Sequence, residues 1–445
     1  MRVLLVGLNF APELIGVGKY TAEFAAWLAE RGHNVRVITA PPYYPDWRVG
    51  RGYSAWRYRR DTVAGAPTLR CPLWVPDEPT AARRILHLLS FALSSLPPTL
   101  WQALRWRPDV VWTVEPTTLT APTALLAARL AGARACLHVQ DLEIEAACAL
   151  CMTCHPRLHR ALRAAYGWLL RRFDLVSTIS ERMRAALAGH GVAPERLCRF
   201  PNWVDTSSIR PLERPGRLRR ALGLHADQVV VLYAGNMGEK QGLEGLAAVA
   251  DRLAARPEIQ IVLCGAGAAR ARLERLMAGR PNVRLAALQS RERLNELLNL
   301  ADIHILPQRR GAERFALPSK LGGMLASGRP FVAQTEGGDL ARAADAGGVA
   351  VAPDDPDAMA VAILQLAADA GRRRRLGERG RRFAEAHLDR ELIIGRYVER
   401  MAAGLAAGAP RRSWWQRLRQ QVAARRPRLP ATPFGTPPPV ASRRR

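Results

Sequence analysis

Short apolar runs alternate with longer amphipathic stretches along most of the chain. The first run, residues 2–9, is followed by a glycine-bearing loop, a helical pattern at 20–31 and a second apolar run at 35–39. Apolar runs of four to eight residues bounded by turn residues are typical of buried strands, whereas a spacing of three and four is typical of helices. The order strand, loop, helix, strand predicts the start of a doubly wound parallel sheet.

The alternation continues through two series of strands, separated by a break at residues 201–205. The further predicted strands are 110–114, 135–140, 175–179 and 197–200 in the first series, and 229–234, 260–264, 283–287, 303–306, 330–333 and 349–351 in the second. The segments between them are suited to helices. We therefore predict an α/β fold of two Rossmann-like, doubly wound domains.

Domain boundaries follow from the same pattern. Residues 1–205 are expected to form an N-terminal domain and residues 206–384 a C-terminal domain, with a hinge near 201–215. Helices near 385–408 are expected to pack back onto the N-terminal domain. The tail at 410–445 is rich in proline and arginine and cannot bury a core, so we expect it to be largely disordered.

The charge balance favours anionic partners. The chain has 66 Lys+Arg against 39 Asp+Glu and a formal net charge of +27. Such a balance suits phosphates, nucleic acid or acidic lipid. Only three of the 66 basic residues are lysines, namely Lys19, Lys240 and Lys320. We expect them where a compact ammonium on a slim stem is needed.

Cysteine and acid clusters do not predict a cofactor or a metal. Cys151, Cys154 and His155 match a haem-attachment pattern, and Cys148 lies three residues earlier, but no export signal precedes them. We interpret the cluster as accidental, with a zinc or iron–sulfur site as the minor alternative. The acids at 355 and 357 precede a helical pattern and are interpreted as helix caps.

Two segments have the composition of a membrane-surface element. Residues 80–107 combine an apolar face with basic and tryptophan flanks, and residues 410–445 contain Trp414 and Trp415 among ten arginines. This combination suits an anionic bilayer surface, although 80–107 is equally consistent with a buried helix. There is no uninterrupted apolar stretch of eighteen residues, so we expect a cytoplasmic protein without a transmembrane helix.

Each lysine lies in a loop that follows a predicted strand and opens a helix. The first loop contains Gly16, Gly18 and Lys19, and two glycines there allow backbone N–H groups to approach an anion. The second contains Asn236 and Lys240. The third contains Ser319 and Lys320. A lysine beside a helix N-terminus can neutralise charge on a departing diphosphate. A tight turn or a capped helix with a surface lysine is the simpler alternative.

Together these motifs resemble glycosyltransferase family 4, and within it the exopolysaccharide transferases of the colanic-acid type. The residues that carry the resemblance are 12–20, 39–45, 138–141, 201–205, 235–242, 318–321 and 324–330. The resemblance extends from residue 1 to about residue 400. It implies the GT-B fold, in which two Rossmann-like domains face each other across a cleft.

The resemblance also implies a reaction and a set of contacts. The family transfers a sugar from a nucleotide-diphosphate donor with retention of configuration, and no metal is expected here. The donor is implied to lie on the C-terminal domain and a membrane-associated, lipid-linked acceptor on the N-terminal domain. The implied donor contacts are Lys240, Ser319 and Lys320 at the diphosphate, Gly265 and Gly267 near the nucleoside, and Gly16, Gly18 and Lys19 from the opposite domain.

Some positions depart from the family pattern. Many relatives have arginine where Asn236 stands. Many also carry two glutamates seven residues apart, for which Glu313 is the nearby candidate and Gly323 occupies the second position. Glu13, His138 and Asp141 follow or end predicted strands and are candidate catalytic residues that orient the acceptor. His138 is equally readable as a structural histidine.

Two other functions would account for part of this sequence. A nucleotide-dependent oxidoreductase or epimerase would share the Rossmann sheet, but the chain lacks G-x-G-x-x-G and Tyr-x-x-x-Lys. Nucleic-acid binding would explain the charge. Its aromatic and basic residues, however, are interleaved only at 101–107 and 414–419. We therefore expect a nucleotide-diphosphate sugar and a membrane surface as partners rather than nucleic acid.

Overall fold

A computed structural model describes residues 1–13, 16–78, 80–116, 118–142, 156–213, 217–238, 241–311 and 318–406. These residues form two parallel-sheet domains with helices on both faces of each sheet. The predicted fold class is confirmed. Within these ranges, no helix is long and apolar enough to cross a membrane.

The first sheet has eight strands in the order β3-β4-β2-β1-β5-β6-β7-β8. All neighbours are parallel except β3 and β4, which form an antiparallel hairpin. The strands are β1 (Arg2–Val6), β2 (Asn34–Thr39), β3 (Arg59–Val63), β4 (Ala66–Arg70), β5 (Val110–Glu115), β6 (Arg134–Val139), β7 (Leu175–Thr178) and β8 (Leu197–Arg199). The helices are α1 (Gly16–Glu30), α2 (Ala81–Arg105), α3 (Ala121–Ala131), α4 (Pro156–Leu170) and α5 (Glu181–Ala188).

The second sheet has six parallel strands in the order β11-β10-β9-β12-β13-β14. They are β9 (Val229–Ala234), β10 (Ile259–Cys264), β11 (Val283–Ala286), β12 (Ile303–Leu306), β13 (Phe331–Gln334) and β14 (Gly348–Val351). The helices are α6 (Arg217–Ala221), α7 (Leu246–Leu253), α8 (Arg270–Met277), α9 (Leu294–Leu300), α10 (Leu321–Ala326), α11 (Gly338–Gly347), α12 (Pro356–Ala368), α13 (Ala370–His387) and α14 (Arg390–Ala406). Short 3-10 turns occur at Thr118–Thr120, Pro194–Arg196, Leu243–Gly245 and Arg291–Arg293.

The last described helix, α14, packs against the first sheet rather than the second. The ring of Tyr397 stacks on Phe200 with 3.9 Å between centroids, and its hydroxyl accepts a hydrogen bond from Nε1 of Trp112 at 3.0 Å. Trp27 of α1 donates to the Glu391 carboxylate at 2.9 Å. The chain therefore crosses back after the second domain and completes the core of the first.

Two local features differ from the sequence-based expectation. The β3–β4 hairpin was not predicted, because β3 begins with Arg59, Arg60 and Asp61 and has no apolar run. Helix α1 begins at Gly16, about one turn before the predicted start. The helix cap at Asp355 is confirmed, since its side chain accepts the N–H of Ala358 at 2.8 Å. The cluster at Cys148, Cys151, Cys154 and His155 and the tail at 410–445 lie outside the described residues.

Candidate active site

The carboxyl ends of the two sheets meet across an interdomain cleft. Tyr20, after β1, donates its hydroxyl to the carbonyl of Ser319, after β12, at 3.2 Å. The N–H of Glu181, after β7, donates to Asp339, after β13, at 2.7 Å. Open α/β sheets bind ligands at the carboxyl ends of their strands. The cleft between these two edges is therefore the candidate site.

On the first side of the cleft, Glu13 ties two loops together. Its carboxylate accepts the side-chain N–H of Asn9 at 2.9 Å and the backbone N–H groups of Tyr43 and Tyr44 at 3.0 and 3.1 Å. Only 6% of Glu13 is exposed, and burial raises its pKa, against the lowering effect of these hydrogen bonds. Because a Cβ on Gly18 would lie 2.7 Å from Oε2 of Glu13, glycine there leaves room for the carboxylate. This geometry favours a positioning role for Glu13.

Arg70 anchors the two loops that follow β1 and β2, and this role was not predicted from the sequence. Its side chain is 1% exposed and binds Asp61 at 2.8 Å. It also donates to the carbonyls of Ala40 at 3.1 Å and Ala11 at 2.7 Å, which belong to the loops after β2 and β1. No motif marks this arginine in the sequence, because its partners come from three separate segments.

Asp141 follows β6 and lies partly exposed at the same edge. Burial raises the pKa of the Tyr44 hydroxyl, and the carboxylates of Glu13 and Asp141 raise it further, whereas Arg84 lowers it. Tyr44 therefore interacts electrostatically with charged groups from three separate segments. Of the three candidate catalytic residues, Asp141 combines a position at the edge with a partly exposed side chain.

His138 lies inside the core of the N-terminal domain. It is 1% exposed, its ring stacks on Trp112 at 5.8 Å and meets Phe200 edge-on at 5.0 Å. Its Nδ1 lies 3.0 Å from the hydroxyl of Ser177, and burial lowers its pKa to about 3. A neutral imidazole packed in this way does not face the cleft. We correct its role from a candidate catalytic residue to the alternative, a structural histidine.

On the second side, glycines allow two loops to pack closely. A Cβ on Gly265 would overlap the carbonyl oxygen of Gly235. Gly267 has a φ of +145°, and a Cβ there would lie 2.6 Å from the Oδ1 of Asn236. Both glycines therefore bring the loop after β10 against the loop after β9. They position Asn236, in addition to any contact with a nucleoside that the resemblance implies.

Lys320 places a cation at the centre of this side. Its Nζ donates to the hydroxyl of Tyr233 at 2.7 Å and lies 3.9 Å from the centre of that ring. The Tyr233 hydroxyl in turn donates to the carbonyl of Asn236. Burial lowers the pKa of Lys320 to about 7. Within the described ranges, no carboxylate forms an ion pair with Lys320, so an anionic ligand would supply the missing charge.

The structure describes some of the remaining predicted donor contacts and leaves others outside its described residues. Lys19 lies in the first turn of α1, 3.8 Å from the carboxylate of Glu23 and 4.6 Å from the centre of the Tyr20 ring. Gly16 opens the same helix with a φ of +62°. Ser319 is exposed and faces α1 through its carbonyl. Lys240 and Glu313 lie outside the described residues.

The assembled groups suit a reaction with an anionic leaving group. Lys320 and Lys19 come from opposite domains, and the Tyr20–Ser319 hydrogen bond holds their two segments together. Cations fixed in a partly dehydrated cleft stabilise developing negative charge more effectively than in water. Asp141 belongs to the first domain and Lys320 to the second.

Known protein families match each domain in turn. A model described as a glycosyl transferase 4-like domain matches residues 16–203, and one described as glycosyl transferases group 1 matches residues 228–369. The chain is 41% identical over 409 residues to a protein of Escherichia coli (strain K12) described as putative colanic acid biosynthesis glycosyl transferase WcaI. That alignment covers 89% of this chain and 99% of the relative.

Solved structures share the fold. Sucrose-phosphate synthase from Thermosynechococcus elongatus has a TM-score of 0.71 at 19% identity, covering 92% of this chain and 100% of that one. Anabaena Alr3699/HepE in complex with UDP-glucose has a TM-score of 0.66 at 15% identity, covering 91% and 100%. WaaG, a glycosyltransferase involved in lipopolysaccharide biosynthesis, has a TM-score of 0.63 at 16% identity with the same coverage. The chain therefore belongs to glycosyltransferase family 4 and is a GT-B glycosyltransferase of glycan biosynthesis.

Proposed function

We propose that the protein transfers a sugar from a nucleotide-diphosphate donor to a membrane-associated, lipid-linked acceptor, with retention of anomeric configuration. The product is part of an exopolysaccharide or another cell-surface glycan. The enzyme works in the cytoplasm, peripherally on the inner face of the plasma membrane. The observation that carries the donor assignment is Lys320, a partly buried cation without an ion-pair partner among the described residues.

The donor diphosphate lies against the loops after β9 and β12. Lys320 binds the diphosphate, and Ser319 and Lys240 belong to the same group of contacts by family resemblance. The complex of Anabaena Alr3699/HepE with UDP-glucose supports a nucleotide-sugar donor. Family membership also favours this function over the oxidoreductase and nucleic-acid alternatives, because the two glycosyltransferase models match one domain each.

Chemistry at this site needs charge stabilisation and positioning. The donor already has a good leaving group, so the enzyme stabilises the departing diphosphate with fixed cations and holds the acceptor hydroxyl close. Attack occurs on the face from which the diphosphate departs, and a diphosphate oxygen accepts the acceptor proton. Asp141 orients the acceptor hydroxyl, whereas Glu13 holds the loop that shapes the acceptor side.

Donor binding is the first test. The purified full chain would be titrated with UDP-, GDP-, ADP- and dTDP-sugars, and slow donor hydrolysis would be followed in parallel. We expect saturable binding of one donor, weakened in Lys320→Ala, and donor hydrolysis slowed about 100-fold in that variant, since removal of one group that stabilises developing charge typically costs that much in turnover. Arg256→Ala is the matched control, because this exposed arginine precedes β10 at the opposite edge of the sheet. If Lys320→Ala bound the donor as tightly as Arg256→Ala does, the proposed donor site would be refuted.

Acceptor use is the second test. Wild-type enzyme, its preferred donor and a polyprenyl-linked saccharide would be incubated, and the product anomer would be assigned by NMR. We expect transfer with the donor's anomeric configuration, and a large loss of turnover in Asp141→Asn without loss of donor affinity. An inverted product would exclude same-face attack.

A further inference from the structure

A stripe of exposed apolar side chains runs along α2. Their exposed fractions range from 38% at Leu96 to 63% at Leu93, and Trp101 is 62% exposed. Ile85, Leu86 and Leu89 continue the stripe over the first turns. Soluble monomers rarely expose so many large apolar groups on one element. The stripe therefore marks a surface that another apolar phase covers.

The orientation of this stripe is fixed by the opposite face of α2. His87, Phe91 and Ser95 are buried there against the first sheet, and the His87 Nδ1 lies 2.7 Å from the carbonyl of Trp74. Thr80 caps the helix by accepting the N–H of Arg83. Because these contacts prevent rotation of the helix, its apolar stripe cannot turn inward.

A second element joins the stripe from the segment before β3. The hydroxyl of Tyr58 donates to the carbonyl of Ser94 at 2.8 Å, which fastens this loop beside the middle of α2. Trp56 is 75% exposed and Tyr58 is 52% exposed. Tryptophan and tyrosine favour the boundary between water and apolar phases, because each has an apolar body and a polar tip.

Helix α2 and the segment at residues 47–60 are both positively charged. Helix α2 contains Arg83, Arg84 and Arg105 and no acid, and residues 47–60 contain five arginines and no acid. The guanidinium of Arg105 lies 5.5 Å from the centre of the Trp101 ring. Arginines beside exposed leucines and tryptophans match the anionic headgroups and acyl chains of a bilayer surface.

Helix α2 lies next to the acceptor side of the cleft. The ring centres of His87 and Tyr43 lie 4.7 Å apart. The charge of Arg84 lowers the pKa of the Tyr44 hydroxyl. The charge of Asp141, the residue proposed to orient the acceptor hydroxyl, raises that pKa. The N-terminal half of α2 therefore carries the exposed stripe on one face and contacts the loop of Tyr43 and Tyr44 with the other.

We propose that α2 and residues 54–58 form one docking surface for an anionic bilayer, oriented so that a lipid-linked acceptor reaches the cleft beside Tyr44. Its biological purpose rests on the proposed function, although the surface itself does not. A bilayer is favoured over a protein partner because the surface combines an exposed apolar helix face, interfacial aromatics and arginines without acidic residues.

Vesicle flotation tests the surface. Full-length wild type, Leu86→Glu/Leu93→Glu and the control Leu288→Glu/Val361→Glu would be floated with vesicles of phosphatidylglycerol and phosphatidylethanolamine, or of phosphatidylcholine. The control positions are 51% exposed and lie on the second domain. We expect wild type and control to bind the anionic vesicles, and the α2 variant to bind them at least ten-fold more weakly. Because the substitutions are on exposed positions, all three proteins should unfold at similar temperatures.

Three outcomes would overturn the proposal. They are absence of vesicle binding by the wild type, equal vesicle binding by the α2 variant, and dimerisation in solution that the α2 variant abolishes without any effect of lipid.

Donor binding would be measured on the same samples without lipid. Loss of vesicle binding in the α2 variant with unchanged donor binding supports the surface. Absence of donor binding in wild type, with vesicle binding as expected, would refute the proposed function and leave the surface supported.

Discussion

Lys320 is both a cation and a group that titrates near neutrality. Burial lowers its pKa to about 7, so free enzyme loses half of this charge near that pH. A bound diphosphate stabilises the ammonium and raises its pKa. Donor affinity should therefore be greatest below pH 7 and decrease by up to about tenfold per pH unit above it, as measured by calorimetry between pH 6 and 8.5.

Lys320→Arg provides the control for this pH dependence. Arginine keeps its charge over the whole range, so the variant should bind more weakly but with a nearly flat pH profile. If wild type and Lys320→Arg gave the same slope, the titrating group would be another residue.

His138 and Asp141 separate a structural role from a catalytic one. His138→Leu removes the partner of Ser177 inside the core and should cost about 1–3 kcal/mol of unfolding free energy, with turnover changed little. Asp141→Asn should reduce turnover strongly and leave the unfolding free energy nearly unchanged. Urea unfolding and kcat on both variants check this. A His138→Leu enzyme that is stable but inactive would restore the catalytic interpretation.

At the scale of elements, the β3–β4 hairpin supports the cleft through Arg70. Arg70→Met would leave the carboxylate of Asp61 and the carbonyls of Ala11 and Ala40 without their donor. We expect a loss of about 3 kcal/mol in unfolding free energy, as for other buried ion pairs with one partner removed. We also expect weaker acceptor use, since both loops lose an anchor.

A double-mutant cycle measures this ion pair directly. Asp61→Asn combined with Arg70→Met should cost less than the sum of the two single variants, because each single change leaves one partner unsatisfied. Arg60→Leu on the neighbouring exposed position is the control and should have little effect. Additive energies would show that Arg70 acts through its carbonyl contacts alone.

At the scale of the whole molecule, α14 makes the first domain depend on the end of the second. Tyr397 is 3% exposed and contacts both Trp112 and Phe200. Tyr397→Ala should cost about 3–5 kcal/mol, as for other large buried aromatic truncations. Thermal unfolding followed by near-UV circular dichroism should show the loss in the N-terminal domain, although the substitution is close to the end of the described chain.

A control variant on the same helix separates packing from helix propensity. Arg396 is exposed, and Arg396→Ala should change stability by less than about 0.5 kcal/mol. If Tyr397→Ala were equally mild, α14 would be a peripheral addition rather than a part of the core.

The sequence by itself determined the architecture. Central parallel strands are covered by helices on both faces, so they appear as continuous apolar runs such as residues 229–234, where the predicted and observed strands coincide. The glycine-bearing loops and the rare lysines also stand out, because backbone approach and compact charge require particular residue types. These local signals were sufficient for the fold class and for the position of the candidate cleft.

Only the tertiary structure decided which way individual side chains face. A strand buried on both faces has no polar alternation, so nothing in the sequence of β6 showed that His138 faces the aromatic core and not the cleft. The role of Arg70 depends on three segments that are distant in sequence. The exposure of the α2 stripe depends on the side of the helix that the sheet covers. Each of these is a long-range contact, and a local pattern carries no information about its distant partner.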